Sequence, residues 1–160
     1  MRHSSTCAKL PAYDDTQRQR RFLFESGVCL EGCQLVEQAL KLYITEALEL
    51  AKQCIGHKIP FKMSGKDYDN LPLRQLIVEF DKLSDDETLV KELHAFTKKR
   101  NRLSHQGITH CIDPDGELDV SKYQDELATI APEAQRLTRA IFEKSAVLGF
   151  DDLTDAGQPL

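Results

Sequence analysis

The sequence contains no long apolar run. None of its segments approaches the ~18 consecutive apolar residues that a membrane-spanning helix requires. Residues 1–21 also contain no apolar core of the kind found in signal peptides. These absences predict a cytoplasmic protein that has no membrane association.

Paired cysteines and the common glycine motifs are missing as well. The five cysteines form an odd set without a CxxC pair, and no P-loop, GxGxxG or GxSxG pattern is present. Cys29 and Cys33 are four residues apart, so they would share a helix face, and we expect them in the core rather than on a metal. The alternative metal set, His105, His110 and Cys111, matches no standard zinc spacing. The sequence therefore predicts no metal and no cofactor.

The composition predicts one globular domain. Hydrophobic residues make up 41% of the 160 residues and charged residues 29%, which is too apolar for a disordered chain. This length can bury a core without disulfides or a metal. The net charge of -5 argues against a general positive field that would coat nucleic acid, so any such role must be local.

Apolar residues recur at helical spacing, and no segment alternates as a strand would. Between Asp14 and about Cys54 there is no proline, which predicts one long helix or two in sequence. Residues 72–83 have the pattern of a short amphipathic helix. Ser84 and Glu87 match a capping box, and the next helix is expected to begin there.

A final long helix is predicted from Ser121 onward, with a kink at Pro132, which removes one backbone hydrogen bond. The predicted fold is therefore all-α, a bundle of four or five helices. The helical domain is expected to span residues 14–148, between an N-terminal tail at 1–13 and a C-terminal tail at 149–160.

Basic residues are concentrated in one segment, residues 96–107, which reads FTKKRNRLSHQG. Cations in the last turns of a helix complement its negative end, which explains part of this cluster. One of them, Arg100, falls at a position that the apolar periodicity assigns to the buried face. The cluster either stabilises the helix end or holds a phosphate beside His105.

Arg100 and His105 form an Arg-x4-His motif in which Asn101 directly follows the arginine. This motif resembles that of the HEPN superfamily (higher eukaryotes and prokaryotes nucleotide-binding). The predicted helix order over residues 14–148 is similar to the HEPN layout too: an early helix containing LVEQALKLYI, a short helix, a helix ending in RNRLSH and a long final helix. Since Arg-x4-His is common by chance, the helical context supplies most of the specificity.

The resemblance implies a function. HEPN domains are commonly metal-independent endoribonucleases or inactive relatives, and they usually dimerise so that two motifs line one cleft. For this chain the resemblance implies that Arg100 contacts the scissile phosphate, Asn101 positions it and His105 transfers a proton. It also implies a homodimer that acts on RNA in toxin–antitoxin or phage-defence biology. The predicted RNA-binding neighbours are Lys98, Lys99, Arg102 and Ser104.

The chemistry agrees with these roles. RNA can be cleaved without a metal if a base takes the 2′-hydroxyl proton while a fixed positive charge stabilises the phosphorane. Histidine, whose ordinary pKa is ~6.5, can take or give this proton near neutral pH. Arginine stays charged and presents a planar fork to phosphate oxygens, so lysine would be a poor substitute at position 100.

The geometry of a continuous helix separates the two main residues of the motif. A step of five residues rotates by ~140°, which puts Arg100 and His105 on different faces, whereas Asn101 and His105 share one. Two arrangements would resolve this. The helix could end before His105, as Gly107 just downstream suggests, or a second subunit could bring its own motif into the cleft.

Alternatives without chemistry exist for each residue. Arg100 could pair with an acidic residue of a neighbouring helix, and His105 could bond the last free carbonyls of its own helix. The chain could then be a non-catalytic HEPN module that binds RNA, a nucleotide or a partner protein, or a purely structural bundle. Some HEPN toxins have a tyrosine two residues after the histidine, which an antitoxin nucleotidyltransferase modifies. Gly107 at this position argues against control by tyrosine modification. The resemblance still implies an antitoxin or nucleotidyltransferase as a partner.

Overall fold

The computed structural model describes residues 12–56, 58–106 and 121–150. These ranges contain no strand and form four α-helices and one short 3₁₀ helix, which confirms the predicted all-α fold. The helices are α1 (Ala12–Ile55), α2 (Leu73–Leu83), α3 (Glu87–Gln106) and α4 (Ser121–Phe150), and the 3₁₀ helix is Gly65–Tyr68. Within these ranges we find no helix that combines the length and the apolarity needed to span a bilayer.

The first helix, α1, is a single helix of 44 residues, so one long helix rather than two is the correct alternative. At ~1.5 Å per residue it is ~66 Å long, and the other helices pack along it. Apolar residues at helical spacing face the core from α1, and Val36, Leu40, Tyr43 and Ala47 are buried. α1 is therefore the helix against which the rest of the bundle packs.

The directions of α3 and α4 follow from their contacts. The Cys29 thiol donates a hydrogen bond to the Leu127 carbonyl at 3.3 Å. Gly32, about one turn further along α1, approaches Ala134, about two turns further along α4. Contacts thus advance along α1 and α4 together, so these helices are parallel. Ion pairs between α3 and α4 run in opposite order along the two helices, so α3 is antiparallel to both. They are Glu92–Arg136, Lys99–Glu133 and Arg102–Glu126.

The short helix α2 closes the bundle at one end. Tyr43 of α1 packs its ring against Phe80, with 4.7 Å between the centroids, and donates its hydroxyl hydrogen to the Leu83 carbonyl at 3.0 Å. Phe80, Ile77, Leu76 and Leu73 are buried as the periodicity predicted, and Leu83 is partly buried.

The segment before α2 contains the 3₁₀ helix Gly65–Tyr68. The Ser64 backbone N–H donates to the Asp67 carboxylate at 2.9 Å, and the Asp67 N–H donates back to the Ser64 carbonyl at 3.1 Å. This short element is held against α1, because a Cβ at position 65 would lie 2.1 Å from the Thr45 hydroxyl oxygen. The sequence pattern missed it because a single 3₁₀ turn has no measurable periodicity.

α3 begins at Glu87, within the segment where the sequence predicts its start. The expected capping box of Ser84 and Glu87 is wrong, because Asp86 is the residue that caps the helix. The Asp86 carboxylate accepts a hydrogen bond from the Leu89 backbone N–H at 3.0 Å, and the Ser84 hydroxyl accepts one from the Asp86 N–H at 3.2 Å. Ser84 therefore supports the capping residue rather than capping the helix itself.

This cap makes the stability of the bundle dependent on pH. The hydrogen bond from Leu89, and next the ammonium of Lys144 at 3.1 Å, lower the pKa of Asp86. A lowered pKa means that the carboxylate stabilises the fold above its ordinary pKa and that this stabilisation is lost as the pH falls through the folded value. We expect Asp86→Ala to lower the unfolding free energy by about 1 kcal/mol at pH 7, and the difference from wild type to shrink below about pH 4.

Urea denaturation at several pH values measures this effect, and Asp85→Ala is the matched control. Asp85 is 99% exposed and lies 3.7 Å from the same Lys144 ammonium, but it does not cap the helix. If Asp85→Ala destabilises the protein as much as Asp86→Ala does, the ion pair rather than the cap is responsible.

The last helix, α4, is continuous through Pro132, and the kink predicted there stays a prediction. Its apolar residues recur at helical spacing and face the core: Tyr123, Leu127, Ile130, Ala134, Leu137 and Ile141 are buried. Residues 1–11 and 151–160, which make up most of the two predicted tails, lie outside the described residues.

Candidate functional site

The Arg-x4-His motif lies entirely within a helix. α3 continues to Gln106, so the arrangement in which the helix ends before His105 is wrong. The reason is local: nothing in RNRLSH breaks a helix, and Leu103 is buried beside the core, which fixes the last turns. Gly107, which suggested the earlier end, lies outside the described residues.

Arg100 lies at the edge of the core. Leu93, Phe96 and Leu103 on the same side of α3 are buried, and the Arg100 side chain is 33% exposed. Its Nη2 donates to Glu37 Oε1 of α1 at 3.2 Å, and its Nη1 donates to Asn101 Oδ1 at 3.3 Å. The alternative interpretation, an ion pair with a neighbouring helix, is therefore confirmed as a contact, although a third of the Arg100 side chain stays exposed.

A polar row lies on the exposed face of α3, and we define it as His94, Lys98, Asn101 and His105. The spacing of four, three and four residues places them on one face of the helix, and all four side chains are exposed. In the described part of the chain, neither Lys98 nor His105 has an ion-pair partner. The polar row is thus open to a ligand along three turns of α3.

Asn101 connects Arg100 to the polar row. Arg100 and His105 point ~140° apart around the helix, but the bond from Arg100 to Asn101 brings the guanidinium to a member of the row. His105 follows Asn101 by one turn on the same face. A phosphate placed over Asn101 would therefore have the guanidinium on one side and the imidazole on the other.

The other predicted RNA-binding residues are mostly occupied within the chain. Lys99 pairs with Glu133, and the Arg102 guanidinium contacts both carboxylate oxygens of Glu126 at 3.1 and 3.2 Å. The Ser104 hydroxyl donates to the Arg100 carbonyl at 3.0 Å. In the described ranges Lys98 is therefore the one cation of the cluster that lacks a carboxylate partner.

The two cysteines near the site are not nucleophiles. Burial raises the pKa of Cys33 to about 11, even though the nearby Arg100 charge acts in the opposite direction. Burial likewise raises the pKa of Cys29. Both thiols are neutral at physiological pH, and their predicted place in the core is confirmed.

A metal site finds no support in the described residues, where no three His, Cys, Asp or Glu side chains group as ligands. Of the alternative metal set, His110 and Cys111 lie outside the described residues. His105 belongs to the polar row.

Sequence reasoning missed the three glutamates that pair with the cluster. Glu37 lies on α1, and Glu126 and Glu133 lie on α4. Each is separated from its partner by at least 24 residues. Only the packing of the helices brings them together, so no local pattern identifies them.

Comparison with known proteins gives no relative: no family model, no curated protein and no solved structure matches the chain. The resemblance to HEPN domains therefore depends on the motif and on the order of the helices.

Proposed function

We propose that this chain is a metal-independent endoribonuclease with an HEPN-like bundle, acting in the cytoplasm as a toxin or phage-defence component. Its site consists of Arg100, Asn101 and His105. The observation that carries the proposal is the hydrogen bond from Arg100 to Asn101, because it connects the permanent cation to the exposed face on which His105 lies.

The proposed reaction uses the groups as follows. His105 takes the proton from the ribose 2′-hydroxyl, and the oxygen attacks the neighbouring phosphorus while the bond to the 5′-oxygen breaks. The departing 5′-oxygen receives a proton from an imidazolium or from water. Arg100 stabilises the added negative charge of the phosphorane, and the Asn101 amide hydrogens orient a phosphate oxygen.

Glu37 has two opposing effects on this site. It holds the guanidinium in one place, which lowers the cost of ordering Arg100 when a phosphate binds. It also competes with the phosphate for the same positive charge. Arginine offers five N–H donors, and the hydrogen bonds to Glu37 and Asn101 at 3.2 and 3.3 Å use two of them, so a phosphate can bind while the pair with Glu37 persists.

A second candidate is favoured by a different observation. Three of the four clustered cations are paired with glutamates, and the net charge is -5, so the positive field over the site is weak. A non-catalytic HEPN module that binds RNA, a nucleotide or a partner protein through the polar row would fit this charge balance. The two candidates differ in whether bound RNA is cleaved.

Cleavage of a fluorescent RNA in the presence of EDTA tests the proposal, and Arg100→Lys is the informative variant. It keeps the charge but loses the planar fork, so we expect the cleavage rate to fall by about 10²-fold. Arg136→Lys is the matched control, because Arg136 also pairs with a glutamate, Glu92, at 2.9 Å, but Glu92 lies about two turns before Arg100 on α3.

The outcomes separate the candidates. Cleavage that needs an added divalent metal contradicts the proposed reaction. Binding of RNA without turnover, weakened by Arg100→Ala and by salt, identifies the non-catalytic module instead.

A further inference from the structure

A row of exposed residues runs along the outer side of α1 at intervals of seven. We call it the heptad row, and its members are Arg21, Val28, Leu35, Leu42 and Glu49. The three central side chains are apolar, yet Val28 is 40% exposed, Leu35 51% and Leu42 49%. The two ends carry opposite charges, and their side chains are 70% and 52% exposed.

The apolar surface continues onto α4. A shallow cavity of about 480 Å³ lies between the two helices, with Leu35 on one side and Thr138, Phe142 and Ala146 on the other. Phe142 is 47% exposed. The heptad row and this cavity thus form one continuous surface, which has no partner within the described ranges.

This surface faces away from the candidate site. Leu35 and Glu37 are two residues apart, so they point ~160° apart around α1. Glu37 contacts Arg100 of α3, whereas Leu35 lines the cavity with α4. A ligand on the heptad row would therefore leave the polar row of α3 uncovered.

We propose that a second copy of this chain docks on this surface, with the two α1 helices antiparallel about a two-fold axis at Leu35. In that arrangement Leu35 meets Leu35 of the second copy, and Val28 meets Leu42 of the second copy. At each end, Arg21 meets Glu49 of the second copy. The inference is independent of the proposed function, because it uses none of the residues of the Arg-x4-His motif.

The opposite charges at the two ends of the heptad row indicate that the partner on this surface is a second copy of the chain. A two-fold interface brings the same surface of both copies together, so the surface must complement itself. The heptad row complements itself only when the two α1 helices are antiparallel, because a parallel pair would bring Arg21 against Arg21 and Glu49 against Glu49. The present partners, Glu25 for Arg21 and Lys52 for Glu49, are exposed neighbours in the same helix, and such pairs are weak enough to exchange.

The proposed dimer differs from the shared-cleft dimer that the HEPN resemblance implies. Because α3 packs on the other side of α1, the two Arg-x4-His motifs lie on the outside of the proposed dimer. Each copy then needs its own Arg100, Asn101 and His105.

Sedimentation velocity from ~1 to ~100 µM tests the association. We expect a dimer for the wild type and a monomer for Leu35→Glu, since two carboxylates at the centre of the interface raise the Kd by roughly a hundredfold or more. Leu23→Glu is the matched control, because Leu23 is 57% exposed and lies ~120° around α1 from Leu35. Circular dichroism on each variant checks that the helices are retained.

A charge exchange tests the antiparallel arrangement. Arg21→Glu alone and Glu49→Arg alone each place like charges at both ends of a homodimer, which raises the Kd by about tenfold. A mixture of the two variants pairs opposite charges at both ends, and we expect the dimer to form again. A wild type that stays monomeric over the whole range overturns the proposal, as does a dimer that Leu35→Glu leaves intact or single charge variants that associate like the wild type.

Discussion

Replacement of His105 by alanine is expected to lower RNA cleavage in EDTA by about 10²- to 10⁴-fold, the usual contribution of a general acid or base. The imidazole is exposed in the last turn of α3 and has no ion-pair partner in the described ranges. Its removal therefore leaves no buried group unpaired, and the fold should be unaffected. Single-turnover cleavage measures the loss, and the unfolding midpoint verifies that stability is unchanged.

The control for this variant comes from the same helix face. His94→Ala removes an exposed imidazole of the polar row, three turns before His105. It has no role in the proposed reaction, so cleavage should stay near the wild-type rate. Equal losses of cleavage in both variants would assign the effect to the charge of the polar row. Cleavage that survives His105→Ala would contradict the proposed proton transfer by His105.

The second large effect concerns stability. Gly32 is buried where α1 approaches α4, and a Cβ built on it would lie 3.1 Å from the Ala134 Cβ. A leucine at this position would force the two longest helices apart. We expect Gly32→Leu to lower the unfolding free energy by about 3 kcal/mol, at the upper end of the usual cost of overpacking, as measured by urea denaturation.

Gly27→Leu provides the comparison. Gly27 lies in the same helix, but it is exposed and no atom lies within 4 Å of its Cβ position. Since glycine is a poor helix residue, this change should stabilise the protein by up to about 1 kcal/mol. If both leucines have the same effect, the close approach of α1 and α4 does not determine stability.

The helices themselves could be predicted because their periodicity is long and regular. The stripe that ends at Ile141 in α4 and the one through Phe80 in α2 both face the core. Helix ends were harder to predict. Ser84 and Asp86 are both good N-cap residues. The sequence does not show which of them caps α3, because that depends on α2 ending at Leu83.

The candidate site shows the same limit. The residue types and spacing of Arg100, Asn101 and His105 could be identified from the sequence, and so could the angle between them. Whether Arg100 is free or paired could not, because its contact with Glu37 depends on how α1 is rotated in the bundle. A helical stripe fixes which side of a helix is buried, but it does not fix which residues of two helices are level with one another.

The ion pairs between α3 and α4 also bear on the chain that joins these helices. Arg102 is bonded to Glu126, and Leu103 and Tyr123 are buried at the same two helix ends, so side-chain contacts hold these ends together. Since the cost of closing a loop grows slowly with its length, a tag or reporter domain inserted between α3 and α4 should leave the bundle assembled.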